Sequence, residues 1–488
     1  MAFSATSLQI ASPPNSTVSP QGALDSLHDF MDKRRKQGKP VADFGAFEEE
    51  LHKRVMGVER ELLGEELARG DIDAEAVEVG GVEYRRAVRS IGRYQTAAGE
   101  VCVERTLYRR RKDGESGSSF AALDRNLGII DGRWTPMAAK QGAWLVAQMT
   151  PAASEELLER MGNMTPSKSS LERLPKTLQD DWADSKDEVD AELRKFEHVP
   201  DNAATVAVSL DGVMAPMRDG NASEKRKAAA ASGHLTRGPA GYREVGCGTI
   251  SFYDADAGLL KTVRMGRMPE HKKATLKDML SSELGRAFAE RPDLRLVAVA
   301  DGAKDNWSYL KDEVLSLLDD EHLKVAILDF FHATEHINAA LGAIYGDGSV
   351  KARTKFNNYR GLLLEDPHGV EKVIRSLAHL KKQFPKVDKL AKVLTYLRKH
   401  RHMMRYSAYR DEGLPIGSGV IEAACKTLVT QRMKNSGMRW GQEGGQAVLT
   451  LRSWAQSDRF DRAWALIAAK YRLQVTTLAN VVRLPLGR

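Results

Sequence analysis

Two short apolar runs, each closing with an aspartate and a glycine, limit the possible folds of this chain more than any other feature. The first is TVAVSLD at residues 205–211, and the second is LRLVAVADG at residues 294–302. Apolar, β-branched runs of this length that end in turn residues are typical of buried strands. We therefore expect Asp211 and Asp301 each to end a strand, where adjacent carboxylates favour a cation between them. The alternative is that each Asp-Gly pair only begins a turn.

Length and composition indicate a soluble protein of several domains. The chain has 488 residues, which is enough for about three domains of ordinary size. It contains no apolar run of about 18 residues, so we expect no membrane span. The formal net charge is +7 and the basic residues are clustered, as a surface that binds a polyanion requires.

The cysteines and the N-terminus favour a cytoplasmic setting. Cys102, Cys247 and Cys425 are far apart in the sequence, so we expect neither a disulfide framework nor a zinc site built on a cysteine pair. Residues 1–20 have neither the basic start nor the apolar core of a secretory signal. Because this segment is rich in Ser and Pro, we predict a disordered tail.

Residues 21–113 are predicted to form a basic α+β region. Apolar positions spaced three and four apart from Phe44 predict a helix that ends near Gly70, and residues 77–112 predict short strands. Nine basic side chains accompany these strands: Arg85, Arg86, Arg89, Arg93, Arg105, Arg109, Arg110, Arg111 and Lys112. They favour a phosphate-contacting surface, and a solvated strand face is the alternative.

Residues 114–200 are predicted to be a helical DNA-binding region. After the Gly/Ser-rich stretch 114–119, residues 151–161 and 167–178 read as two helices joined by a Gly-Asn turn, with Thr165 as the helix cap. This resembles a helix-turn-helix that presents Lys168 and Arg173 to DNA. Two short helices that only pack together would show the same pattern.

From residue 201 the pattern predicts three strands, a helix, a strand, a helix and a fifth strand that ends at Asp329. That order is typical of a ribonuclease H-like mixed sheet with crossover helices. We assign 201–332 as the first part of this core. In such a core the first and fourth strands are neighbours, so Asp211 and Asp301, 90 residues apart, are expected to meet.

The rest of the chain is predicted to be helical. Residues 333–412 are basic and form a helical insertion that interrupts the core. Residues 413–488 complete the core, with a helix that carries Glu422 and with C-terminal helices that pack on the core.

With these acidic positions placed, the chain resembles the DDE-class transposases of bacterial insertion sequences, and within them the ISKra-type group. The likeness is strong over about 205–455 and looser in the N-terminal third, at FAALDRNLGI. An Asp-x-x-His element at 329–332 also resembles the Mutator-like transposases. The matching stretches are VSLDGVMAPM, YREVGCGTISFYD, RMPEHKKATLKDML, VAVADGAKDNW, ILDFFHATEHI and GSGVIEAACKTLVTQRMKNSGMRW.

The resemblance implies an enzyme that cuts and joins DNA with a carboxylate triad. Asp211 is expected to bridge two Mg²⁺ or Mn²⁺ ions, with Asp301 on one ion and Glu422 on the other, because hard cations prefer carboxylate oxygens. Water then cleaves the strand, and the freed 3′-hydroxyl attacks target DNA. His332 is expected to assist at the scissile phosphate with Asp329 supporting it, and a structural histidine is the alternative.

The same resemblance implies the partners. These are double-stranded DNA, as terminal inverted repeats and target, and further copies of the chain in a homodimer or larger synaptic complex at the bacterial nucleoid. Arg432, Lys434 and Arg439 are expected to contact phosphates, and Trp440 to stack on an unpaired base. The alternative for these four is a charged helix face and a core tryptophan.

Two other functions remain open from the sequence. His332-Ala333-Thr334-Glu335-His336 matches His-x-x-Glu-His, a zinc-peptidase pattern that also arises by chance. A DNA-binding protein that does not cut, whether domesticated or inactive, is the second alternative.

Overall fold

The structure, a computed structural model, describes residues 21–112, 115–183, 186–218, 229–233, 241–318, 324–435 and 437–478. The tail expected at 1–20 lies outside these ranges, and so do residues 219–228 and 234–240. The protein is mixed α/β and divides into two compact units. The first comprises Met1–Gly142, Pro151–Leu171 and Ala468–Arg488, and the second comprises Ala143–Thr150 and Glu172–Ile467.

Helices and strands are numbered along the chain. The first part contains α1 (Gln21–Lys36), α2 (Phe44–Arg69), β1 (Ala76–Val79), β2 (Val82–Thr96), β3 (Gly99–Lys112), β4 (Glu115–Ala121), α3 (Ala122–Leu127), α4 (Pro136–Gln148), α5 (Pro151–Met161), α6 (Lys168–Ala183) and α7 (Lys186–Lys195). The central part contains β5 (Thr205–Pro216), β6 (Tyr242–Tyr253), β7 (Leu259–Arg267), α8 (Ala274–Glu290), β8 (Arg295–Ala300), α9 (Lys304–Tyr309) and β9 (Lys324–Leu328). The last part contains α10 (Phe330–Tyr345), α11 (Val350–Glu365), α12 (Gly369–Gln383), α13 (Asp388–His400), α14 (Tyr406–Asp411), α15 (Gly419–Ala424), α16 (Gln431–Met433), α17 (Gln442–Gln456), α18 (Phe460–Tyr471) and β10 (Val475–Thr477).

The first unit contains an antiparallel sheet in the order β10-β1-β2-β3-β4. Its strands differ from the expectation in two ways. β2 and β3 form one long hairpin of 15 and 14 residues rather than short strands, and the start of the region predicted to be helical forms the strand β4. Pairing with β3 explains the second difference, since a ladder of backbone hydrogen bonds overrides weak strand propensity.

The basic side chains of this sheet are largely matched by acidic neighbours. Arg86 and Arg89 both bind Asp73, and the half-buried Arg105 binds Asp124 at 3.1 Å. Two more of the nine are paired as well, namely Arg85 with Glu83 and Arg93 with Glu100. The expected phosphate-contacting surface is therefore reduced, and the strand-face alternative describes these five arginines better.

The start of α6 also differs from the expected helix cap. The helix begins at Lys168, and the backbone N–H of Ser170 donates to Ser167 Oγ at 3.3 Å. Ser167, and not Thr165 as expected, therefore caps the N-terminus of α6. Lys168 and Arg173 are both exposed, so their predicted role in DNA binding stays open.

The second unit is built on a mixed sheet in the order β7-β6-β5-β8-β9. β5, β6 and β7 are antiparallel, whereas β8 runs parallel to both β5 and β9. The predicted pairing of the first and fourth strands of this sheet is thus confirmed. Gly246 and Gly248 on β6 let α8 approach closely, since a Cβ on either would lie 3.0 Å from Leu276 or Leu280.

The segment after β9 is helical, as predicted, and α10 to α14 share the apolar core of the sheet. The chain's end departs from the prediction. β10 pairs with β1, so this segment belongs to the first unit instead of completing the sheet of the second. No helix in the described part of the chain is long and apolar enough to span a membrane.

A buried ion cluster holds the second unit together. Arg459 donates to Glu197 at 3.0 Å and to both oxygens of Glu283 at 2.7 and 3.0 Å. All three side chains are less than a tenth exposed. Burial acts to raise the pKa of Glu197, but Arg459 and Lys261 prevail and hold that pKa below its usual value.

Replacing Arg459 with Met should lower the free energy of unfolding by about 3–5 kcal/mol, because two buried carboxylates lose their cation. A carboxyl with a depressed pKa stabilises the fold above its unfolded pKa and loses that contribution as the pH falls through the folded pKa. The difference in free energy of unfolding between wild type and variant should therefore become smaller below about pH 4. Urea unfolding at pH 7 and pH 3.5 measures this difference.

The control is Arg160→Met, which removes an exposed pair with Glu156 and should change the free energy of unfolding by less than about 1 kcal/mol. Equal losses in both variants would contradict the assigned role of the cluster.

Candidate active site

Asp211 lies where β5 and β8 part. Contrary to the expectation, β5 does not end there, since its pairing with β6 continues to Pro216. The parallel pairing with β8, however, stops at Val208 and Ala298, and Asp301 follows β8 directly. Because parallel neighbours open at the same edge, the two aspartates lie beyond the last paired residues at one edge of the sheet, where both line the same cleft.

Asp211 and Asp301 line one cleft of about 440 Å³. Charged side chains dominate its walls. The other lining residues are Glu244, Glu270, Lys272, Lys273, Lys277, Ala303, Lys304, Asp305 and Asn306. A cleft with this lining suits a charged ligand rather than an apolar one.

Each aspartate is oriented by local hydrogen bonds. Asp211 Oδ1 accepts its neighbour's backbone N–H, from Gly212, at 2.7 Å, and its Oδ2 lies 3.6 Å from the thiol of Cys425. Asp301 Oδ1 accepts the N–H of Ala303 at 3.1 Å, which fixes the turn after β8. Each carboxylate is thus oriented by a backbone N–H group close to it in the sequence, and both aspartates line the cleft.

The negative charge of Asp211 is only partly neutralised by its neighbours. Burial raises the pKa of Asp211, and the nearby Asp301 raises it further, while hydrogen bonds from Gly212 and Cys425 and the charge of Lys273 offset part of the effect. Two hard oxygen donors that repel one another form a donor set that suits a divalent cation. The two aspartates therefore fit the cation that the resemblance implies.

Glu422 does not line the cleft. It is exposed on α15, and its Oε1 accepts a hydrogen bond from Ser418 Oγ at 3.1 Å. It nevertheless stands three residues, or one helical turn, before Cys425, which contacts Asp211. α15 also packs against β5 and β6, so Glu422 lies on a helix anchored beside Asp211.

Asp329 joins the elements around the site. It is 1% exposed, and it caps α10 by accepting the backbone N–H groups of Phe331 and His332. Its Oδ1 also accepts the N–H of Ser418, just before α15. The predicted support of His332 thus acts through the backbone of that residue, and the same carboxylate fixes the start of the Glu422 helix.

The His-x-x-Glu-His residues lie on one face of α10. The Nε2 atoms of His332 and His336 are 3.2 Å apart, and Glu335 is exposed, with its Oε2 3.9 Å from His332 Nδ1. Within the described ranges, no group of three or more His, Cys, Asp or Glu side chains is arranged to hold a metal ion. This applies to the zinc-peptidase pattern, and it applies equally to the three proposed carboxylates as they now stand.

Two cysteines that appeared unrelated in the sequence meet at Asp211. Cys247 is its cross-strand partner on β6, and Cys425 contacts its carboxylate; both thiols are buried. The neighbouring Cys247, together with burial and Asp211, raises the pKa of Cys425, so Cys425 remains a thiol that donates to the carboxylate. Their separation in the sequence, 178 residues, gave no signal of this contact.

A strained lysine turn also lines the cleft, and sequence reasoning did not identify it. Lys272 and Lys273 have φ angles of 50° and 56°, in the left-handed region that residues with a Cβ rarely adopt. Lys273 binds Glu244 at 2.9 Å, and Glu244 lies over Gly212, where a Cβ would be 1.9 Å from its Oε1. The matching stretch RMPEHKKATLKDML contained this turn, but its spacing indicated no role.

Arg432 is buried within the second unit, where it packs against the half-buried Trp440. Arg432 is 3% exposed, donates to the carbonyl oxygen of Val146 at 3.1 and 3.2 Å, and covers the ring of Trp440 at 5.0 Å. The indole N–H of Trp440 donates to Met433 O. The predicted phosphate contact of Arg432 is therefore wrong, because the guanidinium is buried. Trp440 is half-buried, and Lys434 and Arg439 are exposed, so the predictions for these three residues stay open.

The chain matches no protein-family model, and a search of curated proteins finds no significant similarity. The geometry of the cleft is therefore the basis for assigning a function.

In metal-free protein, Asp211→Asn should raise the free energy of unfolding at pH 7 by roughly 0.5–2 kcal/mol, because active-site carboxylates are often held at a cost in stability. A carboxyl whose pKa is raised by folding destabilises the fold as the pH rises from its unfolded pKa through the folded one. The extra stability of the variant should therefore disappear below about pH 4. Urea unfolding in EDTA, at pH 7 and below pH 4, measures this change.

The control is Asp293→Asn, which should lower the free energy of unfolding at pH 7, because hydrogen bonding to Arg291 lowers the pKa of Asp293 to about 2. A less stable Asp211→Asn at pH 7 would refute the electrostatic account.

Arg432→Met should lower the free energy of unfolding by about 1–3 kcal/mol, because the Val146 carbonyl loses its buried donors. The DNA affinity of the Arg432→Met variant should equal that of wild type. Lys434→Ala and Arg439→Ala should leave stability unchanged within about 0.5 kcal/mol and should each reduce the slope of log K against log salt by about 1. Thermal unfolding and fluorescence anisotropy separate the two patterns. A reduced salt slope in Arg432→Met would restore its role as a DNA contact.

Proposed function

We propose that this protein is a DDE-class transposase with a ribonuclease H-like core, which cleaves and transfers DNA strands at the Asp211–Asp301 cleft. The observation that carries the proposal is that two adjacent parallel strands deliver both aspartates to one charged cleft. The strand order β7-β6-β5-β8-β9, with crossover helices between the parallel strands, supports the proposed core. The motifs that resemble ISKra-type transposases support the reaction.

Asp211 and Asp301 hold the divalent cations in this proposal. When bound, Mg²⁺ or Mn²⁺ supplies charge stabilisation for the attacking and leaving oxygens of a phosphodiester. The protein's own part is to fix both carboxylates through Gly212, Cys425 and Ala303, so that they need little rearrangement when substrate arrives. Burial of Asp211 strengthens its interaction with a cation.

Glu422 is the proposed third carboxylate, and it reaches the site by turning away from Ser418. A glutamate has three side-chain torsions, and its present bond to Ser418 is that of an exposed group with little to lose. Glu244 is the competing candidate because it lines the cleft. It pairs with Met214, however, and successive strand residues face opposite sides. Glu244 thus faces α8 and Lys273, whereas α15 lies on the side of Asp211.

The remaining roles follow the same proposal. His332, fixed at its backbone by Asp329, assists at the scissile phosphate. The exposed Lys168, Arg173, Lys434 and Arg439 bind double-stranded DNA at the element's terminal inverted repeats and at the target. Pairing of two ends requires a homodimer or larger assembly, which rests on the resemblance alone.

Asp211→Asn, Asp301→Asn and Glu422→Gln should each reduce Mg²⁺-dependent cleavage by on the order of 10³-fold or more, because residues that act as one unit fail together. DNA binding should persist in all three. The assay is nicking of a plasmid that carries the DNA flanking the gene, with binding followed by anisotropy.

Two conservative variants serve as controls. Glu335→Gln should cleave DNA normally. Zinc-dependent peptide hydrolysis by wild type that this variant lacks would instead favour the metallopeptidase alternative. Glu244→Gln should retain most activity. If Glu244→Gln is inactive and Glu422→Gln active, the third carboxylate is Glu244. A wild-type protein that binds DNA but never nicks it with Mg²⁺ or Mn²⁺ would support the non-cutting alternative.

A further inference from the structure

Tyr396 carries a polar group that the proposed chemistry leaves unused. It lies on α13 of the helical insertion, and its hydroxyl oxygen is buried without a hydrogen-bond partner in the described structure. Buried hydroxyls are nearly always bonded, because leaving one unbonded destabilises the fold. An orphaned donor beside a functional cleft indicates an acceptor that it meets in another state of the site.

The ring of Tyr396 lies against the residue that follows Asp301. A Cβ on Gly302 would be 2.4 Å from Cε2 and 3.0 Å from the hydroxyl oxygen of Tyr396. Only glycine therefore permits this packing, which puts the hydroxyl beside the backbone that carries Asp301. Rings of His336 and His400, with centroids at 4.6 and 5.0 Å, hold the phenol in place.

Two carboxylates near Tyr396 are candidate acceptors. Burial raises the pKa of Tyr396, and the charges of Asp301 and Asp329 raise it further. Asp329 already accepts three backbone N–H groups, from Phe331, His332 and Ser418. Asp301 accepts one such bond within the described ranges, from Ala303 to Oδ1. Its Oδ2 is thus the acceptor with capacity to spare.

We propose that Tyr396 is a positioning residue, whose hydroxyl donates to Asp301 Oδ2 when the cleft binds a divalent cation. This inference rests on the proposed function. A second hydrogen bond fixes the carboxylate plane of Asp301, as partners behind metal ligands commonly do. The helical insertion thereby contributes to the catalytic centre.

Tyr396→Phe removes only the hydroxyl and tests the proposal. In EDTA the variant should unfold at the same temperature as wild type or higher, because an unbonded buried group is lost. The Mn²⁺ concentration that gives a half-maximal rise in the unfolding temperature should increase about tenfold. The Mg²⁺ requirement for cleavage should increase in parallel, with the rate at saturating Mg²⁺ little changed. In an Asp301→Asn background the hydroxyl should have no further effect on the Mn²⁺ response.

Tyr359→Phe is the matched control. Its hydroxyl lies in the same insertion and bonds Ser376 at 2.5 Å, so the variant should lose stability in EDTA and keep the wild-type response to metal. A Tyr396→Phe variant that responds to Mn²⁺ like wild type, or that is destabilised in EDTA like Tyr359→Phe, overturns the inference.

The failure of this inference is distinguishable from failure of the proposed function. If wild type cleaves DNA and Tyr396→Phe has the same metal dependence, only the role of Tyr396 is refuted. If the Mn²⁺ response shifts but wild type never cleaves DNA, the proposed transposase activity fails while the Tyr396–Asp301 coupling stands. If Mn²⁺ does not stabilise wild type, both fail.

Discussion

Parallel pairing between β5 and β8 is the interaction on which the site depends. Four residue pairs, from Thr205 with Arg295 to Val208 with Ala298, align the two strands. A shift of one residue would turn every side chain to the other face. The aspartates beyond the pairing would then separate, so the register of these four pairs fixes the position of the candidate chemistry.

Asp329 links this sheet to the helices that carry the other candidate residues. Its backbone N–H bonds Ala300 O on β8, and its carboxylate binds the starts of α10 and α15. One buried residue therefore ties Asp301's strand, through its backbone, to the helices of His332 and Glu422, through its side chain. Such a residue contacts no substrate, yet it determines where residues that do are held.

Sequence patterns predicted the parts that repeat locally. The apolar runs predicted the strands of the mixed sheet, and the helical character of the insertion was predicted as well. Contacts between distant segments left no such trace. Cys425 meets Asp211, Arg432 is buried on Val146, and Tyr396 packs on Gly302. Each of these contacts depends on packing in three dimensions, and each changes the role assigned to a residue.

The sequence by itself determined that two carboxylates follow apolar strands and that helices separate those strands, because side-chain periodicity and turn residues act over a few residues. Only the tertiary structure decided that Asp211 lies within its strand and which arginines are buried. It also decided that Glu422 lies one helical turn from Cys425, the residue that contacts Asp211. Those outcomes depend on which surfaces exclude water from one another, and that choice is made by the whole fold.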